Sequence, residues 1–223
     1  MIYGLVPIGG KGTRLGLSFS KEMLPQKGFL YFNPVSNHLV TTMRNAGAER
    51  IIFIHGFEFK KDVKKFYSEP CHVHFLQKTE GFANVLKEFL MNIDLQNQDI
   101  VLFGMPDTVF RGNPFLEMLK HRGITCALFR SNDESKVDRL YVNRRKFAVK
   151  QPKNSAFEDR FWGLLKFDGA DMIRIEEKGH FSKYTEIGNI LNQNEFTCID
   201  AEEYLDLGTW DNYNYYLQNY QKS

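Results

Sequence analysis

The chain of 223 residues carries 29 Lys and Arg against 27 Asp and Glu, a formal net charge of +2, so it lacks the basic excess of a nucleic-acid binder. A hydrophobic fraction of 43%, with 20 Phe and 10 Tyr, is enough for a sizeable core, and the length fits one domain over 1–223. Cys71, Cys126 and Cys198 form no CxxC pair, which excludes a disulfide framework and a cysteine zinc site and reads as reduced thiols in a cytoplasmic protein. No basic leader opens the chain, and no run approaches the ~18 apolar residues of a membrane span, so no membrane partner is expected.

In chain order, "IYGLVPI" reads as a buried strand and "NPVSNHLVTTMRNAG" as a helix ending near Gly47. "RIIFIHG" is a second strand, followed by "EFKKDVKKFY" with Phe59, Val63 and Phe66 on one helical face. "HVHFL" is a third strand, and a helix from about Gly81 to Ile93 carries Val85, Leu86, Phe89, Leu90 and Ile93 as one stripe. "DIVLFG", "NPFLEMLKHRG" and "ITCALF" continue as strand, helix and strand. This alternation predicts an α/β fold: a Rossmann-like mixed, mostly parallel sheet flanked by helices, with ligands at the carboxyl ends of the strands. After about Asn132 the pattern changes. "DRLYVN" and "KFAVKQ" flank "RRK" as an antiparallel hairpin, and "RFWGLLKFDG" is a further strand. Helices over Ala170–Glu177 and Lys183–Asn192, the strand "EFTCID" and a last amphipathic helix complete the chain. The reading is a nucleotide-binding half, 1–131, and a small acceptor lobe, 132–223, on the same sheet.

The segment "LVPIGGKGTRLGLSFSKEMLPQKG" places a glycine-rich turn directly after the first strand. It fails the Walker pattern, because Lys11 is followed by Gly12 rather than Ser or Thr, and fails G-x-G-x-x-G, whose third glycine falls on Leu15. What remains is a turn in which Gly9, Gly10, Gly12 and Thr13 bring backbone N–H groups close to an anion, with Arg14 and Lys21 adding full charges. The joint spacing of Gly10, Gly12, Thr13, Arg14, Lys21, Leu24 and Pro25 resembles the G-x-G-T-R-(L/M)…(P/S)-K-x-x-L-P signature of the sugar-phosphate nucleotidyltransferases, the enzymes that make nucleoside-diphosphate sugars. The resemblance implies that Arg14 and Lys21 are catalytic, binding the triphosphate of a nucleoside triphosphate and steadying the leaving pyrophosphate. Preorganised cations suit that task, since charge builds on the departing group.

Two acidic motifs extend the resemblance. Asp107-Thr108-Val109-Phe110-Arg111-Gly112 matches the family's D-x-(I/V)-F-x-G, with Pro106 before the Asp as in the UDP-glucose branch, and "DLGT" nominates Asp206. In the family these two aspartates hold Mg2+, a hard ion that takes few protein oxygens and completes its shell with phosphate and water. Asp99 and Asp168 read as ordinary turn residues at strand ends. The resemblance also assigns base reading to Gln77 and, through backbone, Gly81, one residue closer together than in the relatives; UTP is favoured, with dTTP next. The acceptor, implied to be a sugar 1-phosphate, has a weaker match: Lys150-Gln151-Pro152 stands where the family has Glu-Lys-Pro, and Leu140 stands where a Gly is expected. Lys150 is the candidate for the acceptor phosphate, and Gly163, in "WGLLKFD", for close approach of the sugar ring.

Other features read as structure. "KKDVKK" is the solvated face of its helix, Tyr213, Tyr216, Leu217 and Tyr220 form a packing stripe, and Arg144-Arg145-Lys146 is a charged hairpin tip. His72 and His74 alternate on a strand without the company a metal site needs. Two other readings remain: a cytidylyltransferase acting on an alcohol phosphate such as phosphocholine, and a non-catalytic nucleotide-sugar sensor. Association with further copies of the chain is left open.

Overall fold

The first apolar run forms β1 (Ile2–Ile8), buried from its second residue onward, as expected of a central strand covered on both faces. A computed structural model describes residues 1–9, 14–56, 58–77, 81–130, 140–143, 146–149, 160–184 and 187–219. There β1 is followed by α1 (Ser36–Asn45), β2 (Arg50–His55), α2 (Lys61–Phe66), β3 (His72–Leu76), α3 (Phe82–Asn92) and β4 (Ile100–Gly104). A short β5 (Thr108–Phe110) precedes α4 (Pro114–Met118) and β6 (Ile124–Arg130). The second half holds β7 (Leu140–Asn143), β8 (Lys146–Val149), β9 (Arg160–Asp168), α5 (Gly169–Glu177), α6 (His180–Lys183), α7 (Ile187–Leu191), β10 (Phe196–Ala201), β11 (Tyr204–Asp206) and α8 (Trp210–Asn219).

One seven-stranded sheet has the order β10-β6-β9-β4-β1-β2-β3. Its strands are parallel except β9, which runs antiparallel between β4 and β6. The sheet is therefore mixed and mostly parallel, and strands from both halves of the chain alternate in it. Burying β9 on both faces forces Lys166 inside, where its Nζ donates to His121 O at 2.7 Å and Gly123 O at 2.9 Å and pairs with Asp168 Oδ1 at 2.5 Å. One sheet face packs on α3, α5, α6 and α7 through Leu86, Phe89, Met172, Ile175, Phe181 and Ile190. The other packs on α1, α2 and α4 through Leu39, Met43, Val63, Phe115 and Met118.

Two local expectations need correction. The helix expected over Lys183–Asn192 is the shorter α7, Ile187–Leu191, while Lys183 closes α6, which ends at the extended Tyr184 (φ −117°, ψ 134°). On α2 only Val63 goes inside; Phe59 lies before the helix and Phe66 is its last residue, and they stay 36% and 38% exposed. The hairpin forms as β7 and β8, paired Asn143 to Lys146. Among the described residues no helix is long and apolar enough to cross a membrane.

Candidate active site

The parallel topology puts the carboxyl ends of β1 to β4 on one edge of the sheet, and the sequence motifs sit in the loops there. Arg14 and Lys21 follow β1, Gln77 follows β3 and Asp107 follows β4. Asp206 arrives from the far end of the chain, and its route is the central structural fact of the site. β11 pairs antiparallel with β5 in the register Tyr204–Phe110, Leu205–Val109 and Asp206–Thr108. The ladder continues one step, with Leu207 N donating to Asp107 O at 2.8 Å. The next pair of this ribbon thus sets the two acidic motifs side by side.

A third, small core locks that arrangement. It consists of Leu15 and Leu24 from the first motif, Val35 just before α1, Val109 from the second motif, Leu207 from the third, and Tyr213 and Tyr216 from α8. Polar ties reinforce it: Trp210 Nε1 donates to Leu15 O at 2.9 Å, the Tyr213 hydroxyl to Pro25 O at 2.8 Å, and Lys27 N to the Tyr216 hydroxyl at 3.1 Å. The expected packing stripe of the last helix is real at Tyr213 and Tyr216, while Leu217 is 37% exposed and Tyr220 lies outside the described residues.

Around this ribbon the charged residues of the motifs lie near one another. Lys21, on a single 3-10 turn (Lys21–Met23), pairs with Asp107 Oδ2, and both side chains are largely covered. Burial lowers the Lys21 ammonium, but the charge and hydrogen bond of Asp107 outweigh it and hold the group above the usual lysine value. Burial, and then the neighbouring charge of Asp107, push the Asp206 carboxyl above its ordinary value; the Gly208 N–H, Lys21 and Arg14 pull the other way. Asp206 Oδ1 accepts from Gly208 N at 2.7 Å. A methyl group placed on Gly208 would stand 2.8 Å from that oxygen and 3.1 Å from Arg14 Nη2, so the guanidinium of Arg14 closes the cluster. Gly208 lies in the "DLGT" motif but was not singled out from sequence; its close approach to both partners is the signal.

A buried carboxylate beside a second, partly covered one forms a hard-oxygen donor pair, the chemistry that suits Mg2+. Asp107 and Asp206 are the residues that would hold it. The described residues also bring Glu69, Cys71 and His72 within ligating distance of one another, away from this cluster and joined by Arg44, which donates to Cys71 Sγ.

After β3, Gln77 is buried and its Nε2 donates to Gly81 O at 3.0 Å, while its N–H bonds His55 O at 2.8 Å. Gly81 has φ +107°, a conformation closed to side-chain-bearing residues, and starts α3. These two residues therefore bond one another. Gly163 is the extra residue of a β-bulge, where the β6–β9 register shifts from Ala127–Leu164 to Leu128–Trp162. The space where its side chain would point is filled by the rings of Tyr204 and Phe129, at 2.5 and 2.6 Å from a built Cβ. Gly9 directly follows β1, with Gly56 packed on its carbonyl. Gly10, Gly12, Thr13 and Lys150 lie outside the described residues.

No protein-family model and no curated protein matches the sequence. Among solved structures, the fold is that of a putative glucose-1-phosphate thymidylyltransferase from Bacillus anthracis, solved in complex with a sucrose. The two share 19% identity and a TM-score of 0.78, over 100% of this chain and 98% of that one. The fold expected from the first-loop and aspartate motifs is thus the fold observed.

Proposed function

We propose that the chain transfers a nucleotidyl group from a nucleoside triphosphate, UTP or dTTP, to a sugar 1-phosphate, releasing pyrophosphate. The observation that carries this reading is the meeting of Asp107, Asp206, Arg14 and Lys21 at the ligand-binding edge of a nucleotidyltransferase fold. Mg2+ on the two aspartates would supply charge neutralisation at the triphosphate. An oxygen of the acceptor phosphate attacks the α-phosphorus in line, a P–O bond forms to it, and the bond to the β-phosphate oxygen breaks with its electron pair leaving on pyrophosphate. Arg14 suits a bidentate contact to the phosphates, and Lys21 follows the charge that grows on the leaving group. No protein nucleophile is required, because the acceptor oxygen is already anionic. Gln77, steadied by the Gly81 carbonyl, reads the base, and Lys150 meets the acceptor phosphate.

The rings that fill the space beside Gly163 leave the acceptor's identity to experiment. Pyrophosphate release is to be measured with UTP, dTTP, CTP and ATP, each against glucose 1-phosphate and phosphocholine, with Mg2+ present. Turnover of UTP or dTTP with the sugar phosphate is expected. Turnover of CTP with phosphocholine alone assigns the second reading, and nucleotide-sugar binding without any turnover assigns a sensor; either overturns the proposal.

A further inference from the structure

The charged run "KKDVKK" is not wholly a solvated face. Lys61, Lys64 and Lys65 are exposed, but Lys60 and Asp62 turn towards the first motif and grip the residues on either side of Lys21. Asp62 accepts from Ser20 twice, from the backbone N at 2.7 Å and from the hydroxyl at 2.6 Å, and its Oδ1 also receives Val63 N at 2.9 Å. Lys60 Nζ donates to both oxygens of Glu22, at 2.9 and 3.0 Å, and the Glu22 side chain is only 1% exposed. Lys21 is the residue between these two anchors.

Lys60 is itself held from behind. Its N–H donates to His55 Nδ1 at 3.2 Å, His55 Nε2 meets His74 Nδ1 at 2.9 Å, and His74 Nε2 meets Tyr67 O at 2.8 Å. The carbonyl at one end and the amide at the other allow a single consistent assignment. His74 carries its proton on Nε2 and accepts at Nδ1, and His55 carries its proton on Nε2 and accepts from Lys60 at Nδ1. Both imidazoles are neutral in this arrangement, and every ring nitrogen has a partner. A directional chain thus runs from the body of the sheet to the turn that carries Lys21.

We propose that Lys60 and Asp62, backed by the His55–His74 pair, are positioning residues that aim Lys21 at Asp107 and the reacting phosphates. The inference rests on the reading of Lys21 as a phosphate-binding cation. The geometry explains why a charged pair is spent on a buried site: a six-residue helix and a single 3-10 turn have too little apolar contact to fix a lysine rotamer, whereas two bidentate contacts leave the turn no freedom to roll.

The test has two readouts on Lys60→Met, Glu22→Gln and the double variant Lys60→Met/Glu22→Gln. The first is independent of turnover: the rate at which Lys21 of the folded protein is acylated, read by peptide mass spectrometry. The second is steady-state kinetics with UTP and glucose 1-phosphate. Lys60→Met leaves Glu22 buried and unpaired, so the turn moves; Lys21 labelling should rise about 5- to 10-fold, and kcat should fall about 10- to 100-fold with KM changed less than about threefold. The double variant removes the stranded charge, so its stability should recover, but it also lacks the bidentate contact, so Lys21 labelling should stay raised at least about threefold and kcat should stay depressed. Should Lys60→Met not fold, Asp62→Ala, which strands no buried charge, carries the same two measurements. Unchanged labelling in the single variants overturns the inference, as does a double variant whose labelling and kcat return to the wild-type values. Absence of wild-type turnover would count against the proposed function, while the labelling arm still decides whether Lys60 and Asp62 position Lys21.

Discussion

The Lys21–Asp107 pair places an ammonium on one of the two carboxylates proposed to hold Mg2+, so metal and lysine compete for Asp107 until a triphosphate gives the lysine another partner. Replacing Lys21 by Met should therefore tighten binding of the metal alone while abolishing efficient catalysis. The magnitude follows from the geometry. Two unit charges ~4 Å apart attract by about 4 kcal/mol at an effective dielectric near 20, and the side chains here are 14% and 7% exposed, so screening is modest. Part of that attraction is returned as solvation when the lysine swings out, which leaves about 1–3 kcal/mol for the metal to overcome, or ~5- to 150-fold in Kd. Mn2+ titration by electron paramagnetic resonance, or Mg2+ calorimetry, in the absence of nucleotide reads this directly. The comparison belongs near pH 8. Burial and Asp107 already raise the Asp206 carboxyl, and removing the lysine raises it further, so at low pH protons replace the metal and the gain shrinks. Lys21→Met binding the ion no more tightly than wild type at pH 8 would refute the competition. The same gain persisting in Lys21→Met/Asp107→Asn would show that the ion sits elsewhere.

Asp206→Asn should keep the fold, because the Gly208 N–H can still bond the amide oxygen, yet lower the rate of pyrophosphate release by ~100-fold or more. Gly81→Ala forces a side chain into φ +107°, at a cost of about 1–3 kcal/mol, and moves the carbonyl that holds Gln77; it should lower the melting temperature and raise KM for the nucleotide more than it lowers kcat. His55 is fully buried, and burial, then the neighbouring His74 and lysines, depress its pKa to about 3. A depressed folded-state value means that stability is intact above the unfolded pKa near 6.5 and drains as pH falls towards 3, by about 1.4 kcal/mol per unit within that window. Urea unfolding at pH 7.5 and 4.5 should show a loss about 2–3 kcal/mol larger in wild type than in His55→Gln, whose side chain cannot titrate; equal losses would remove His55 from the account.

The parts of the site carried by contiguous sequence were legible before any coordinates. Gly9 to Pro25 and Asp107 to Gly112 each place their chemistry within one loop, and the strand before each loop announces itself by an unbroken apolar run. The β5–β11 ribbon was not legible. Three-residue strands have no measurable period, and nothing in "TVF" or "YLD" says that they pair. The motif match proposed that Asp107 and Asp206 cooperate, but only the register, with Asp206 opposite Thr108 and Leu207 bonded to Asp107, supplies a physical cause. The antiparallel insertion of β9 was hidden for a related reason: a strand buried on both faces reads the same in either direction.

Composition also misled in one place, because it counts charges without their directions. Four lysines around one aspartate in "KKDVKK" describe a polar surface, and three of those lysines do face solvent. Asp62 and the preceding Lys60, however, fall on the flank that meets residues 20–22, a contact fixed by the path of the chain after β2 rather than by any local pattern. The same loop geometry decides why Glu22 can be buried at all. A carboxylate 1% exposed is pushed towards its neutral form by burial, and Lys60 opposes that push. Were Lys60 absent, the cheapest response would be protonation of Glu22 or a roll of the 3-10 turn that brings it back to water, and the second response carries Lys21 away from Asp107. The position of the proposed catalytic lysine is therefore tied to an ion pair formed by residues that a charge count assigns to the surface.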